Sequence, residues 1–334
     1  MEKEITEPGF VLQKNGKPNP GWSRKMLLKY DRKHIHASPF RIKEWDWYQI
    51  QNDHLCLQFT IGHASYAGQI DVMLFDFSTG EKIFEESRLL VLPFNRLHMP
   101  RNAEQDGRLA YDGNGILLEY RTSGNVRTID CRWRDVESHI VLTHRQPDSL
   151  VICIPFDENP YDFYYNEKIN CMTGSGFIRK GNREWTFDEK NSFGLLDWGR
   201  GVWPFHNEWY WSNGAGYIDG KIFGFNFGSG FGNNDTATEN IVFYDGRSYK
   251  LGRTDFSADT GDYMKPWHIR DREGRVDLTL SPSFDRTTAT KLLWIDNCTH
   301  QVYGCFTGTV VLSPEKTIYV DRLYSFAEHA VNNW

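Results

Sequence analysis

The stretch LLDWGRGVWPFHNEWYW, residues 195–211, carries four tryptophans, Trp198, Trp203, Trp209 and Trp211, interspersed with Asp197, Arg200, His206 and Glu208. Read as extended chain with a period of two, it puts Phe193, Leu195 and Asp197 on one face and Leu196, Trp198 and Arg200 on the other. A carboxyl group that continues an apolar row loses hydration, which raises its proton affinity and suits a general acid. The same residues equally suit a structural ion pair, Asp197 with Arg200 or another arginine, holding two sheets in register. Further along, Glu208, Tyr210 and Ser212 alternate with Trp209, Trp211 and Asn213, so one face offers a carboxylate and hydroxyls and the other indole surface. RIKEWDWYQI repeats the theme, with Glu44, Asp46 and Tyr48 on one face and Trp45 and Trp47 opposite. Its paired carboxylates could perform acid/base work, as in glycoside hydrolysis, or form a solvated edge.

Other chemistries find less in the sequence. His34 and His36 in KHIHAS could present a metal pair, but no third ligand stands at a recognisable spacing, and no metal is expected. There is no Gly-x-Ser-x-Gly elbow and no cysteine with a local catalytic signature, so covalent catalysis is not indicated. GKIFGFNFGSGFGN has neither the glycine spacing nor the Lys-Ser/Thr pair of a nucleotide loop. Its alternation sets Gly224, Gly228, Gly230 and Gly232 against Phe223, Phe225, Phe227 and Phe231, a bent strand with its bulk on one side; Asn226 within it joins the ligand-binding candidates. Glu328 and His329, in the closing FAEHAVNNW, read as a cap following the last strand, although His329 could titrate near neutrality.

The elements that must position these groups are β-strands. Aromatic residues make up 15 % of the 334, with 29 glycines, a mixture that suits sheet surfaces and tight turns. Short apolar runs such as HLCLQFTIG, GQIDVMLFDF, SLVICIPF and QVYGCFTGTVVL are separated by turn signals, among them Gly181-Asn182, Asp219-Gly220 and Asp245-Gly246. No long amphipathic helix is visible. A net charge of −6 without a Lys/Arg block excludes nucleic acid as an expected partner. A charged, turn-rich N-terminus and the lack of any twenty-residue apolar run point to a soluble cytoplasmic protein. Six cysteines, Cys56, Cys131, Cys153, Cys171, Cys298 and Cys305, are widely spaced and read as small buried hydrophobes.

The run TGSGFIRKGNREWTFDEKNSFGLLDWGRGVWPFHNEWYWSNGAG, with RIKEWDWY, FTGTVVL and FAEHAVNNW, resembles the bacterial family catalogued as domain of unknown function 2804 over nearly the whole chain. Over about seventy residues it is also similar to the carotenoid 1,2-hydratases, tocopherol cyclases and fungal Diels–Alderases. In the hydratase-like members of that group, a glycine-rich hairpin leads into an Asp-His-Glu-Trp-Gly motif and an aromatic strand. GFIRKGNREWTF would be the hairpin, DWGRG the aspartate motif and EWYWSNGAG the aromatic strand; Asp197 matches the aspartate, while Trp198 and Gly199 replace the His-Glu. The resemblance implies two packed lipocalin-like barrels with a cavity where they meet.

The expectation is therefore an all-β protein of two antiparallel calycin-like barrels with few short helices. An irregular lead-in over 1–40 precedes barrels over 41–205 and 206–334. The expected function is acid/base chemistry (a hydratase, cyclase, isomerase or lyase) on a small, largely apolar ligand, with no metal or redox cofactor. A non-catalytic small-molecule carrier and a carbohydrate-active enzyme are the alternatives. Asp197 is the expected proton donor, Arg200 its orienting partner, and His206 and Tyr210 the rest of a hydrogen-bonded set. Trp198, Trp203 and Trp211 would form apolar walls, with Glu208, Glu44, Asp46 and Asn226 as further ligand contacts.

Overall fold

The computed structural model describes residues 2–94, 96–292 and 295–333, and in it the alternating runs become two large curled antiparallel sheets. The first has thirteen strands. Its path runs from Glu81–Val91 through Ala67–Asp76, Leu55–His63, Lys43–Gln51, Phe193–Val202, Phe163–Lys180, Val136–Thr143, Val126–Trp133 and Ile116–Ser123 to Gly107–Gly113. The second has nine, from Arg247–Lys250 through Ile241–Tyr244, Lys221–Ser229, His206–Ile218, Lys316–Asn333, Ile295–Ser313, Val276–Leu292 and Trp267–Asp271 to Thr254–Ser257. Each sheet curls around its own apolar core as a lipocalin-like half-barrel, one core built around Tyr48, Phe59, Leu142 and Trp198, the other around Phe225, Trp267, Leu278 and Phe306. The only helices among the described residues are two 3-10 turns, Arg32–His34 and Pro39–Arg41. Within the first forty residues, Gly21–Ser23 adds to the first sheet alongside Leu150–Pro155.

Turn chemistry sets the register. Asp219 and Gly220 have φ of 52° and 70°, and Asp245 and Gly246 50° and 76°, the positive pairs of a two-residue hairpin turn whose twist matches the strands. In the glycine-rich segment the strand ends at Ser229; Phe223, Phe225 and Phe227 enter the second core as their alternation requires. Phe231 does not follow them. Gly230, at φ 92°, turns the chain, and Phe231 lands between the sheets beside Tyr164, Trp203 and Trp209.

The two sheets pack outer face to outer face. Two further apolar clusters fill the space between them, one around Tyr164, Trp203, Phe231 and Phe243, the other around Phe75, Leu195, Trp211, Tyr303 and Phe326. Polar ties cross it as well: Gln51 Nε2 donates to the Tyr324 carbonyl at 2.7 Å, and Arg286 of the second sheet holds Asp71, at 3.1 Å, and Glu85 of the first. The Arg286 side chain is 12 % exposed, so its removal would strand two carboxylates in the interface. Arg286→Ala should cost about 3–5 kcal/mol of stability at neutral pH. Because burial raises the proton affinity of Asp71, with Arg286 opposing it, the loss should shrink in acid, where that carboxyl can take up a proton. Urea unfolding of both chains at neutral and acidic pH checks this; an equal loss at both would contradict the ion-pair account.

Candidate functional site

Both faces of Phe193–Val202 are buried along its whole length, and the strand divides the polar residues predicted for the site. Its neighbour Lys43–Gln51 pairs Trp47 with Asp197 and Glu44 with Arg200, so alternation carries Asp197 and Trp47 outward and Arg200, Glu44 and Asp46 inward.

The inward set is a closed network. Arg200, 0 % exposed, donates to Asp46 Oδ1 at 2.7 Å, to the Trp45 carbonyl at 2.6 Å and to the Pro100 carbonyl at 2.9 Å, and its guanidinium lies 4.0 Å from the Trp198 ring centroid. Glu44 accepts from Tyr30 at 2.8 Å and from Arg32. Burial alone would raise the Glu44 carboxyl, but the His63 hydrogen bond and the charges of Arg200 and Arg32 outweigh it and hold it at about 2. Glu44 and Asp46 are therefore buried ion-pair partners, and the solvated-edge reading of that stretch does not apply. Arg200 makes its ion pairs with them, on the face opposite Asp197.

The outward set opens on a cavity of about 280 Å³ between the sheets. Five tryptophans line it, Trp45, Trp47, Trp203, Trp209 and Trp211, with Tyr164 and Phe231. Trp47 meets Trp211 edge to face at 5.5 Å and Trp45 meets Trp203 at 5.6 Å, geometries that add to the area each ring buries. Asn226 sets the Trp211 indole, accepting from its Nε1 at 2.9 Å and donating to the Glu239 carbonyl at 2.7 Å.

Four ionisable groups lie in this aromatic wall: Asp197, Lys168, Glu239 and Glu328. Asp197 Oδ1 is 2.9 Å from Lys168 Nζ and accepts from Asn166 at 2.6 Å. Lys168, 2 % exposed, also approaches Glu239 at 3.5 Å and lies 4.2 Å from the centre of the Trp211 ring. Across the cavity Glu328 accepts from Trp209 Nε1 at 2.9 Å and from Gln301 Nε2 at 3.3 Å. The Gln301 carbonyl is taken by Tyr303 and Arg286, which turns its amide N–H toward the carboxyl. Burial pushes Glu328 up to about 7; the Trp209 hydrogen bond and Lys168 pull it down and Asp197 pushes it further up. Glu239 is raised too, first by burial, against the pull of Lys168.

Of the residues expected from sequence, the cavity thus brings together Asp197, Trp203 and Trp211, with Asn226 behind the wall. Arg200, Trp198, Glu44 and Asp46 sit inside the first half-barrel. Tyr210 and Glu208 are on the opposite face of their strand, Tyr210 stacked on His329 at 4.2 Å and Glu208 bonded to His329 Nε2 at 2.8 Å. His206 is exposed and contacts Asn333. Sequence reasoning did not single out Lys168, and it placed Glu328 in a terminal cap; Glu328 instead lies well inside the strand Lys316–Asn333. Extending the alternation of FAEHAV would have put Phe326 and Glu328 on one face.

A protonated Glu328 stabilises the fold below the unfolded carboxyl value of 4.5, and that contribution is lost as the pH climbs through about 7. Ionising it in place costs roughly 3 kcal/mol. Glu328→Gln should therefore be the more stable chain above neutrality, by about that amount, with a flatter stability profile between those two pH values. Thermal unfolding across the range checks it; parallel profiles would contradict the assignment.

The family model described as "Domain of unknown function (DUF2804)" matches residues 2–334. No curated protein matches the chain significantly. Among solved structures, CghA with Sch210972 superposes with a TM-score of 0.57 at 10 % identity, covering 97 % of this chain and 96 % of that one. AttH (NE1406) from Nitrosomonas europaea gives 0.55 at 13 %, covering 90 % and 96 %. Kievitone hydratase from Nectria haematococca gives 0.56 at 11 %, covering 85 % and 88 %. At these identities the likeness is one of fold.

Proposed function

We propose, from the premise that this chain belongs to the DUF2804 family and carries a paired lipocalin-like fold, that it is an acid/base enzyme. It acts on a small, largely apolar organic molecule held in the cavity between the half-barrels. The observation that carries this reading is Glu328: a carboxyl pushed up to about 7, facing a tryptophan-lined cavity. Such a group holds a proton at physiological pH and gives it up readily, the condition a general acid must meet. Lys168 supplies the complementary element. Held by Asp197 and Glu239, its ammonium can donate to a carbonyl or enolate oxygen while Glu328 delivers or removes the proton at carbon or hydroxyl. This division of labour suits hydration, dehydration or double-bond migration next to a carbonyl.

In this reading Asp197 positions the lysine, because its carboxylate is already committed to an ammonium 2.9 Å away. The cavity volume is near the lower end for small-molecule sites, which favours a compact ligand over an oligosaccharide. A hydratase, and a protein solved with a small organic ligand, among the structural neighbours lend support.

Incubating the purified chain with a small-molecule extract and comparing masses before and after tests the proposal. The native chain should convert at least one compound into a product of equal mass or differing by one water. Glu328→Gln should lose about 100-fold or more in rate, and Lys168→Met should lose binding as well. A carrier would instead bind the same compounds in both the native and Glu328→Gln chains and convert none, and that outcome would overturn the assignment.

A further inference from the structure

A second cluster of reactive side chains lies on the opposite face of Ile295–Ser313. Thr299 and Gln301 line the cavity, so alternation places Cys298 and His300 on the side of the second half-barrel's interior. There His300 stands opposite Thr287 and His329, and Cys298 opposite Ala289 and Val331. Cys298 Sγ is 3.5 Å from His300 Nε2, and His300 Nδ1 is 2.7 Å from Asp285 Oδ2. The carboxylate can only accept, so Nδ1 carries the ring proton and Nε2 turns its lone pair to the thiol. The imidazole is held flat by Tyr263, stacked on it at 3.9 Å and 17°. Tyr263 is fixed in turn: its hydroxyl meets His329 Nδ1 at 2.7 Å, and His329 Nε2 meets Glu208. Cys56, Cys131, Cys153 and Cys171 are buried, whereas Cys298, His300 and Asp285 are each partly exposed and open to a reagent.

The geometry points to a nucleophilic site separate from the cavity, in which Cys298 attacks activated acyl esters with His300 as general base and Asp285 orienting the imidazole. The Cys298 proton passes to His300 Nε2 as sulfur bonds to the ester carbonyl carbon. Collapse of the adduct breaks the bond to the leaving oxygen or sulfur, which takes the proton from His300 or departs as the anion while His300 gives its proton to solvent, so that the imidazole is neutral again. A water molecule, deprotonated by His300, then attacks the thioester, releasing the carboxylic acid and restoring the thiol. A soft sulfur nucleophile favours a good leaving group, so phenyl esters and thioesters are the expected class.

The test uses p-nitrophenyl acetate with the full chain at neutral pH. The native protein should release one p-nitrophenolate per chain in a burst, with the acetyl group located by peptide mass on Cys298. Cys298→Ala should lack the burst. His300→Asn should slow acylation about 100-fold, with Asp285→Asn falling between it and the native chain. Thermal unfolding identifies any variant that has lost its fold, and the acetyl position in the native chain decides the matter without variants. Acetylation elsewhere, including on the partly exposed Cys305, overturns the proposal, as does a native rate matched by a folded His300→Asn.

Discussion

Sealing both faces of Phe193–Val202 from water is the constraint on which the rest depends. A strand buried on one face can leave its charges in solvent; this one cannot, and each charge it carries must meet its partner inside the protein. Arg200 finds Asp46 and Glu44 on the inner face, and Asp197 finds Lys168 and Asn166 on the outer. The inner network, tied to backbone carbonyls at Trp45, Gly199 and Pro100, fixes this strand against Lys43–Gln51 and against the loop at Pro100. Only with that register held do Trp45 and Trp47 project outward together to meet the second sheet.

The outer face follows from the same physics with one term changed. Where the two sheets meet, tryptophans set edge to face border a void of about 280 Å³. The void is also bordered by ionisable groups whose hydration it removes. Lys168 and Asp197 respond by pairing. Glu328, given only the neutral donors of Trp209 and Gln301, responds by keeping its proton to higher pH. Asp197 and Glu328, in one cavity, are thereby driven to different states by their neighbours, one holding an ammonium and the other keeping its proton.

Much of this could be read from the chain. Alternation located the strands Phe193–Val202 and His206–Ile218 and assigned Asp197 and Arg200 to opposite faces, and the Asp-Gly pairs located two hairpins. Arg200 was nonetheless expected to orient Asp197, and the structure separates them, since residues three apart in a strand point oppositely. Pairing across the sheet was not readable: Lys168 opposes Asp197 from a strand about thirty residues away, and nothing local marks it in FYYNEKINC. Glu328 and His329 lie side by side in sequence, yet one faces the cavity and the other the interior of the second half-barrel, which only the strand's continuation to Asn333 reveals. Cys298 and His300 were hidden for a related reason, because their third partner, Asp285, sits on the neighbouring strand Val276–Leu292 and no local spacing marks it.

The central claim is that Glu328 carries a proton into the neutral range because of where the fold puts it. The infrared difference spectrum between the native chain and Glu328→Gln, followed from acid through neutral pH, isolates that one carboxyl. The account predicts a protonated-carboxyl C=O band that disappears with a midpoint near 7. A band already lost at the ordinary carboxyl value of 4.5 would contradict it.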